Sequence, residues 1–352
     1  MPNVTHLRFL LIVLALSLFS PLSWYVSNVM PDLFSGLFVL AGLLLILAKD
    51  RLNDVEYLFT CLVFCVAITV HTSHVLVIVL LSMALPLMPS LRRRWMCFRL
   101  PVTIWMVCVV VSIVTIVSVN SSLHGRPSLT SPAAPPFLLA RIVADGPGER
   151  YLRKHCPDLS FAVCAYLDVL PGSELKFLWK PDGVMKQASP EDRARIRQEE
   201  MTIVLNTVRA YPFLQLQASM RNFIWQFFDF HRLSGFGSNE TIERGARKDY
   251  PKYFESRQYQ GRLHQVTVGR IHLLGVIVGL FGCAYSLASR CGEQSDRFRY
   301  MCVITIFALS ANAAVMGILS GPFPRYQGRM IWIVPLLALL AVGRGRRHLN
   351  VQ

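Results

Sequence analysis

Charged residues are scarce in this chain of 352 residues, where they make up 16% against about a quarter in an average soluble protein. Six segments of 16 or more residues contain no Asp, Glu, Lys or Arg at all: 9–31, 33–48, 57–91, 100–125, 271–289 and 300–324. About 20 apolar residues cross the hydrocarbon core of a bilayer as a helix. Six such runs are too many for the buried helices of an ordinary soluble protein, so that class is excluded.

Nucleotide-binding and metalloprotease signatures are also missing. The chain has no Walker A motif, no dinucleotide fingerprint and no His-Glu-x-x-His, so ATP-driven transport and zinc proteolysis have no support. We predict no cofactor, although a divalent metal stays an open alternative. The net charge of +15 is compatible with nucleic acid, but about a third of the basic residues lie in short loops beside apolar runs. The predicted partner is therefore the membrane bilayer, and no nucleic acid.

Eight transmembrane helices are predicted from these runs, at about 7–27, 33–49, 54–70, 74–90, 100–119, 268–289, 299–320 and 328–344. As one helix, the run 57–91 would extend about 52 Å, which is too long for a single span. Its polar cluster at 71–74 therefore predicts a tight hairpin. The first run continues through Trp24 and Tyr25 with no Ala-x-Ala cleavage site, which favours a retained helix over a cleaved signal peptide.

Basic residues are distributed unequally between the two sides of these spans. One side carries 13 Lys or Arg in its loops and termini, whereas the short loops of the other side carry only Arg325 and Arg329. By the positive-inside rule both termini are cytoplasmic and 120–267 is extracytoplasmic, as in a bacterial inner (plasma) membrane protein. The expected fold is an all-α polytopic membrane protein: an N-terminal membrane region (1–119, five helices), a mainly helical extracytoplasmic domain (120–267) and a C-terminal membrane region (268–352, three helices and a basic tail).

The extracytoplasmic domain has readable helix boundaries. Asp145-Gly146-Pro147-Gly148 favours a turn followed by a helix start over a phosphate-binding loop. Ser189-Pro190-Glu191 predicts a helix start, with a cap residue, a first-turn proline and an acid, and that helix should run to about residue 209. Pro212 then begins a second helix, to about residue 230, rich in aromatic residues. Packing on the domain core and lying in the membrane interface are both open for it.

Cys156 and Cys164 are the only cysteines in the extracytoplasmic segment. An even pair on the oxidising side of a membrane predicts a disulfide. A metal site built on this pair and His155 lacks a second pair of ligands.

Several polar side chains are predicted to meet at the outer membrane face. They are Asp32 in the first external loop, His71 and His74 at the next turn, Arg325, Tyr326 and Arg329 in the last loop, and Arg270 at the start of the sixth span. An acid, imidazoles and guanidiniums together are able to hold a phosphate-bearing lipid and activate a hydroxyl. Simpler interpretations stay open: Asp32 as a helix cap, the arginines as interface anchors and the histidines as a polar turn.

The last loop and helix resemble those of a known enzyme family. Pro324-Arg325-Tyr326, then Arg329, then the segment Trp332-Ile333-Val334-Pro335-Leu336-Leu337 are similar to the Arg-Tyr…Pro-Leu-Leu region of C-type, polyprenyl-phosphate-sugar-dependent membrane glycosyltransferases. That family has a pair of acids in a long first external loop, where this chain has a single Asp in a short one. The resemblance implies that Arg325 binds the phosphate of a lipid carrier and that Asp32 acts as base or positions the acceptor.

The leading functional hypothesis is the transfer of a sugar from a polyprenyl-phosphate carrier to an acceptor at the extracytoplasmic face. Asp32 is the expected catalytic residue, and Asp32→Asn and Arg325→Ala are each expected to abolish transfer, with a milder effect for Arg329→Ala. The alternatives are a non-catalytic envelope assembly or partner-binding protein, which includes an inactive relative of the enzymes, and a component of lipid or polysaccharide export. Polar side chains are few in the spans, which counts against a solute pathway.

Overall fold

The computed structural model describes residues 6–28, 30–84, 95–131, 134–233, 250–288 and 293–345, with the backbone alone at 95–102, 251, 293–295 and 342–345. All regular secondary structure in these residues is helical, which confirms the predicted all-α class. The α-helices are α1 His6–Phe19, α2 Leu22–Val26, α3 Leu33–Leu47, α4 Asp54–Thr69, α5 Ser73–Ala84, α6 Trp95–His124, α7 Phe137–Asp145, α8 Pro147–His155, α9 Glu174–Trp179, α10 Val184–Gln187, α11 Pro190–Ala210, α12 Pro212–Phe228, α13 Gln265–Ala288, α14 Glu293–Leu319, α15 Pro324–Ile331 and α16 Ile333–Gly345.

Within the described residues, three helices are long and apolar enough to cross a membrane: α6 over Thr103–His124, α13, and α14 over Asp296–Leu319. The pair α4 and α5 adds a fourth candidate span if it is counted as one, because the chain bends by 119° between the two helices. That angle is typical of a broken span or a re-entrant loop as well as of a hairpin. The apolar helices α1 and α3 have 14 and 15 residues, fewer than the roughly 20 that a straight span needs. The count of eight spans stays a prediction.

Helix α1 exposes most of its large apolar side chains. Leu7, Phe9, Leu10, Leu14 and Leu18 are each more than half exposed. A continuous apolar surface of this kind is costly in water and is typical of a segment that contacts lipid or another protein.

Two predicted spans are interrupted in the structure. Pro21 separates α1 from α2, because proline has no N–H to continue the helical ladder and its ring clashes with the preceding turn. The segment predicted as 328–344 begins earlier, with the short helix α15, and a break at Trp332 separates α15 from α16. Residues 85–94, which hold the end of the predicted fourth span and the basic loop after it, lie outside the described residues.

Small residues allow α13 and α16 to pack closely. A Cβ atom added to Gly279 would lie 2.9 Å from the Pro335 Cα, and one added to Gly282 would lie 3.0 Å from the Ala338 Cβ. Close backbone approach through glycine and alanine is the usual way in which helices associate in lipid, where dispersion contacts replace the hydrophobic effect.

The chain divides into two compact units. The first comprises 1–115, 228–312 and 323–352, and the second comprises 116–227 and 313–322. The second unit therefore contains the last turns of two candidate spans, α6 and α14. The predicted domain limits at 120 and 267 stay a prediction.

The second unit has its own apolar core, formed by α7 to α11. Leu139, Leu152, Phe177, Val184 and Ile203 are all buried in it. The predicted disulfide is confirmed: Cys156 and Cys164 are bonded, with their Cα atoms 5.4 Å apart. It joins the end of α8 to the 3₁₀ segment Ala162–Val169.

Helix boundaries in this unit follow local chemistry. Ser189 caps α11 by accepting a hydrogen bond from the Asp192 amide at 3.0 Å, as predicted. Gly146 separates α7 from α8 with φ at +102°, a conformation that favours glycine, which confirms the turn interpretation of 145–148.

Candidate functional site

Helix α15 carries the predicted arginines, and its sequence defines both of its ends. Phe323 is extended and Pro324 occupies the first turn, where its missing N–H is not needed. The side chains of Gln327 and Arg329 are fully buried, whereas Arg325 and Tyr326 are partly exposed. The last loop is therefore a buried helix with one half-exposed side, and not an exposed interface turn.

Asp32 and Arg329 form a buried ion pair, although they are 297 residues apart in sequence. Nη1 of Arg329 donates a hydrogen bond to Oδ1 of Asp32 at 2.7 Å, and the two side chains are 0% and 4% exposed. Asp32 directly precedes α3, but its side chain makes no capping hydrogen bond. Asp32 therefore occupies the N-cap position of α3 without a capping hydrogen bond, and its side chain is engaged by Arg329 instead.

This ion pair retains unused hydrogen-bonding capacity. Oδ2 of Asp32 and both Nε and Nη2 of Arg329 are buried and have no hydrogen-bond partner among the described residues. Buried charges ordinarily have their remaining donors and acceptors satisfied, because leaving them unpaired costs about 1–3 kcal/mol or more per group. One acceptor atom and two donor atoms at this point are therefore unsatisfied within the described residues.

Arg325 lies near the Asp32–Arg329 pair, because both arginines contact the ring of Tyr326. The guanidinium carbons of Arg325 and Arg329 lie 5.1 and 5.2 Å from the centre of that ring. Nη2 of Arg325 also donates to the Tyr326 hydroxyl at 3.4 Å. Arg329 is already paired with Asp32, whereas Arg325 has no ion pair among the described residues and is the cation that remains available to an anion, since the ring stabilises it without neutralising it.

The two histidines differ in their environments. Both ring nitrogens of His74 have partners, since Nε2 lies 2.9 Å from the Ser35 hydroxyl and Nδ1 lies 2.6 Å from the Ala67 carbonyl oxygen. Its ring is buried and stacks on Phe38 at 4.9 Å, so His74 is a core residue. His71 is partly exposed and uses Nδ1 in a 2.7 Å hydrogen bond with Ser73.

Of the predicted residues, the structure thus brings Asp32, Arg325, Tyr326 and Arg329 together, and His71 is close enough to experience the charges of Asp32, Arg325 and Arg329. Arg270 is exposed on α13, and no hydrogen bond or ion pair joins it to Asp32. The sequence also leaves Glu240, Glu243 and Asp249 of the large segment open as alternatives to Asp32, and these three carboxylates lie outside the described residues.

The side chains of Asn312 and Trp332 position α15, and neither was predicted from the sequence to do so. The Asn312 side chain donates to the Tyr326 carbonyl oxygen at 2.8 Å and to the Gln327 side chain at 2.9 Å. The Trp332 indole donates to the Arg329 carbonyl oxygen at 2.9 Å. Asn312 is an amide within an otherwise apolar span, which is the one signal that pointed to it.

Asp229, directly after α12, is a second buried carboxylate that sequence analysis did not single out. It accepts from Nε and Nη2 of Arg232 at 2.9 and 2.5 Å, and this pairing engages both of its oxygens. Tyr25 lies close enough to experience the charges of both Asp32 and Asp229. Because the oxygens of Asp229 are already engaged, Asp32 is the better candidate for proton transfer.

Among the described residues, no group of three His, Cys, Asp or Glu side chains is arranged to hold a metal ion. No protein-family model, no curated protein and no solved structure matches this chain. A functional assignment therefore depends on the residues and their geometry.

Proposed function

We propose that this chain is an integral membrane protein that transfers a sugar from a lipid-phosphate carrier to an acceptor at the extracytoplasmic face. The observation that carries the proposal is the Asp32–Arg329 pair with Arg325 beside it, since it combines a carboxylate with two guanidiniums and unused hydrogen-bonding atoms. The proposal includes the eight-span topology with cytoplasmic termini, which the unequal distribution of basic residues supports.

In the proposed reaction Asp32 is the base. Its Oδ1 accepts from Arg329, and its Oδ2 is left to take the proton of the acceptor hydroxyl. The acceptor oxygen forms a bond to the anomeric carbon as the bond between that carbon and the phosphate oxygen breaks, so the sugar is transferred with inversion. The leaving lipid phosphate retains the bonding electrons.

The two arginines are proposed to bind that phosphate. Arg325 is partly exposed and therefore accessible to a lipid headgroup, and Arg329 has two donors with no partner among the described residues. Guanidiniums form paired hydrogen bonds with phosphate oxygens and stabilise the charge that develops on the leaving group. The ring of Tyr326, near both cations, fixes their spacing.

The test measures lipid binding and sugar transfer separately, in the full chain reconstituted into vesicles. Asp32→Asn is expected to bind polyprenyl phosphate and to lose transfer from polyprenyl-phosphate-linked mannose or aminoarabinose. Arg325→Ala is expected to weaken binding about ten- to a hundredfold, from roughly 1.5–3 kcal/mol for a hydrogen bond to a charged group. Arg209→Ala, which removes an exposed arginine at the end of α11 and outside the cluster, is the control and should change neither. Full transfer by Asp32→Asn would refute the single-carboxylate mechanism.

A non-catalytic role is the second candidate, and the complete burial of Arg329 favours it. An ion pair that only stabilises the fold would explain the same geometry. Arg329→Ala should then lower the free energy of unfolding by about 3–5 kcal/mol, because it leaves Asp32 buried without a partner. From sequence, Arg329→Ala was expected to have a milder effect than Arg325→Ala. Because Arg329 is fully buried, we now expect its loss to destabilise the protein more than the loss of an exposed arginine at the membrane interface would. A purely structural pair predicts three results. Wild-type protein does not bind polyprenyl phosphate, Arg329→Ala is destabilised, and the double variant Asp32→Asn/Arg329→Gln regains stability.

A further inference from the structure

Helix α12 has its polar face inward and its apolar face outward. The inward residues Gln215, Ala218, Asn222 and Gln226 are all buried. The outward residues form a stripe at helical spacing: Phe213 is 84% exposed, Leu216 59%, Met220 46% and Ile224 51%. A helix on the surface of a water-soluble domain shows the opposite pattern, with apolar residues toward the core.

Hydrogen bonds to a buried carboxylate fix this orientation. The side-chain amides of Gln215 and Asn222 donate to the two oxygens of Asp145 at 3.0 and 2.8 Å. Asp145 is fully buried and is also paired with Arg141 at 2.8 Å. Rotating α12 to bury its apolar stripe would break these charge-assisted bonds and leave Asp145 with fewer partners, which is costly in a buried site. These bonds to Asp145 therefore fix α12 with its apolar face outward.

The inward face also lies directly on a candidate membrane span. A Cβ atom added to Gly317 would lie 2.7 Å from the Asn222 carbonyl oxygen and 3.0 Å from the Gln226 Cβ. Gly317 is in the last turns of α14, whose segment Asp296–Leu319 is long and apolar enough to cross a membrane. Because α12 contacts the last turns of that candidate span, a bilayer crossed by α14 would reach its surface at the level of α12.

We propose that α12 lies in the interface of the bilayer, with the stripe of Phe213, Leu216, Met220 and Ile224 among phospholipid acyl chains. The flanking residues fit this position. Trp225 is 55% exposed, and tryptophan is enriched at the level of the headgroups. The exposed Arg221 is the one charged residue of the helix, and its long side chain can extend to the phosphates.

The inference needs only that the chain is embedded in a membrane, and it is independent of the proposed enzymatic activity. Helix α12 has 17 residues and is not one of the candidate spans, since its inward glutamines and asparagine make it less apolar than they are. Of the two positions left open by the sequence for this aromatic helix, core or interface, its exposed stripe and its contact with α14 favour the interface.

Photolabelling of the full chain in phospholipid vesicles tests the proposal. The vesicles contain phosphatidylethanolamine, phosphatidylglycerol and a phospholipid with a diazirine on its acyl chain, and adducts are mapped by mass spectrometry. We expect lipid adducts on 213–225 as well as on the candidate spans α13 and α14, and none on the charged first half of α11. Labelled spans with an unlabelled α12 would overturn the proposal, as would crosslinks from α12 to a second copy of the chain in place of lipid.

Two double variants provide a matched comparison. Met220→Asp/Ile224→Asp adds two carboxylates, four residues apart, to the apolar stripe and is expected to lose the lipid adducts on α12. Ala194→Asp/Gln198→Asp adds the same charges at the same spacing to exposed positions of α11 and should leave the α12 adducts unchanged. Circular dichroism and thermal unfolding like those of wild type, together with the Cys156–Cys164 disulfide, report that the unit is folded in both variants. If the α12 variant is folded and still labelled as strongly as wild type, the stripe is not what holds the helix in lipid.

Discussion

Gly36 lies where α3 passes the indole ring of Trp332, and only a hydrogen atom fits between them. A Cβ atom at Gly36 would lie 2.5 to 2.7 Å from three atoms of that ring. The indole cannot move aside freely, because it is buried and donates to the Arg329 carbonyl oxygen. A glycine outside the ion pair thus keeps the backbone of Arg329 in its position.

We therefore expect Gly36→Val to lower the free energy of unfolding by about 2 kcal/mol, because overpacking displaces Trp332. Binding of polyprenyl phosphate should weaken with it, since Arg329 shifts too. The control is Gly172→Val, at an exposed glycine with no atom within 4 Å of an added Cβ. Thermal unfolding in detergent measures both variants, and equal stability of the two would show that the Trp332 contact can relax at no cost.

Residue types and charges allowed Asp32, Arg325, Tyr326 and Arg329 to be selected as candidates, because polar side chains are rare beside apolar runs. Their pairing was not predictable, since it joins residues 297 apart and depends on how the helices pack. His74 was selected for the same reason as the others, yet hydrogen bonds to Ser35 and Ala67 make it a core residue. Sequence showed that these groups are unusual, and packing decides which of them meet.

At the scale of elements, predictions held where local chemistry determines the outcome. The start of α11 at Pro190 follows from its cap, and the turn at Gly146 follows from its φ. The break between α1 and α2 at Pro21 also has a local cause. It was not predicted, because the sequence is apolar on both sides of Pro21 and was read as one continuous span. The orientation of α12 could not be predicted, because it depends on Asp145, a residue of another helix.

Two serines that precede helices provide a test of capping. Ser189 accepts a hydrogen bond from the Asp192 amide, whereas Ser173, before α9, makes no side-chain capping bond. Ser189→Ala should therefore lower the free energy of unfolding by about 1 kcal/mol, and Ser173→Ala should change it little. Unfolding of both variants followed by circular dichroism gives the comparison. Equal losses would mean that the bond at Ser189 contributes nothing beyond the local preference for serine.

At the scale of the whole molecule, length and composition identify α6, α13 and α14 as candidate spans, and they leave the shorter apolar helices undecided. Helices α1 and α3 were predicted to cross the membrane because they lie in or at the edge of long charge-free runs, but they are shorter than a straight span needs. Lipid contact without full crossing is compatible with the exposed leucines of α1. The distribution of basic residues is independent of helix length, so it is the better guide to sidedness.

The 13-to-2 distribution of Lys and Arg makes a prediction for the whole chain. Reporter fusions at about residue 200 should give extracytoplasmic signals, and fusions at about residues 95 and 350 should give cytoplasmic ones. A cytoplasmic signal at 200 would move the second unit, with α12, to the inner face. The interface proposal for α12 would survive that result, because it depends on contact with α14 and not on sidedness. The enzyme proposal would not survive it, since Asp32, Arg325 and Arg329 would then face the cytoplasm, away from the acceptor that the reaction requires.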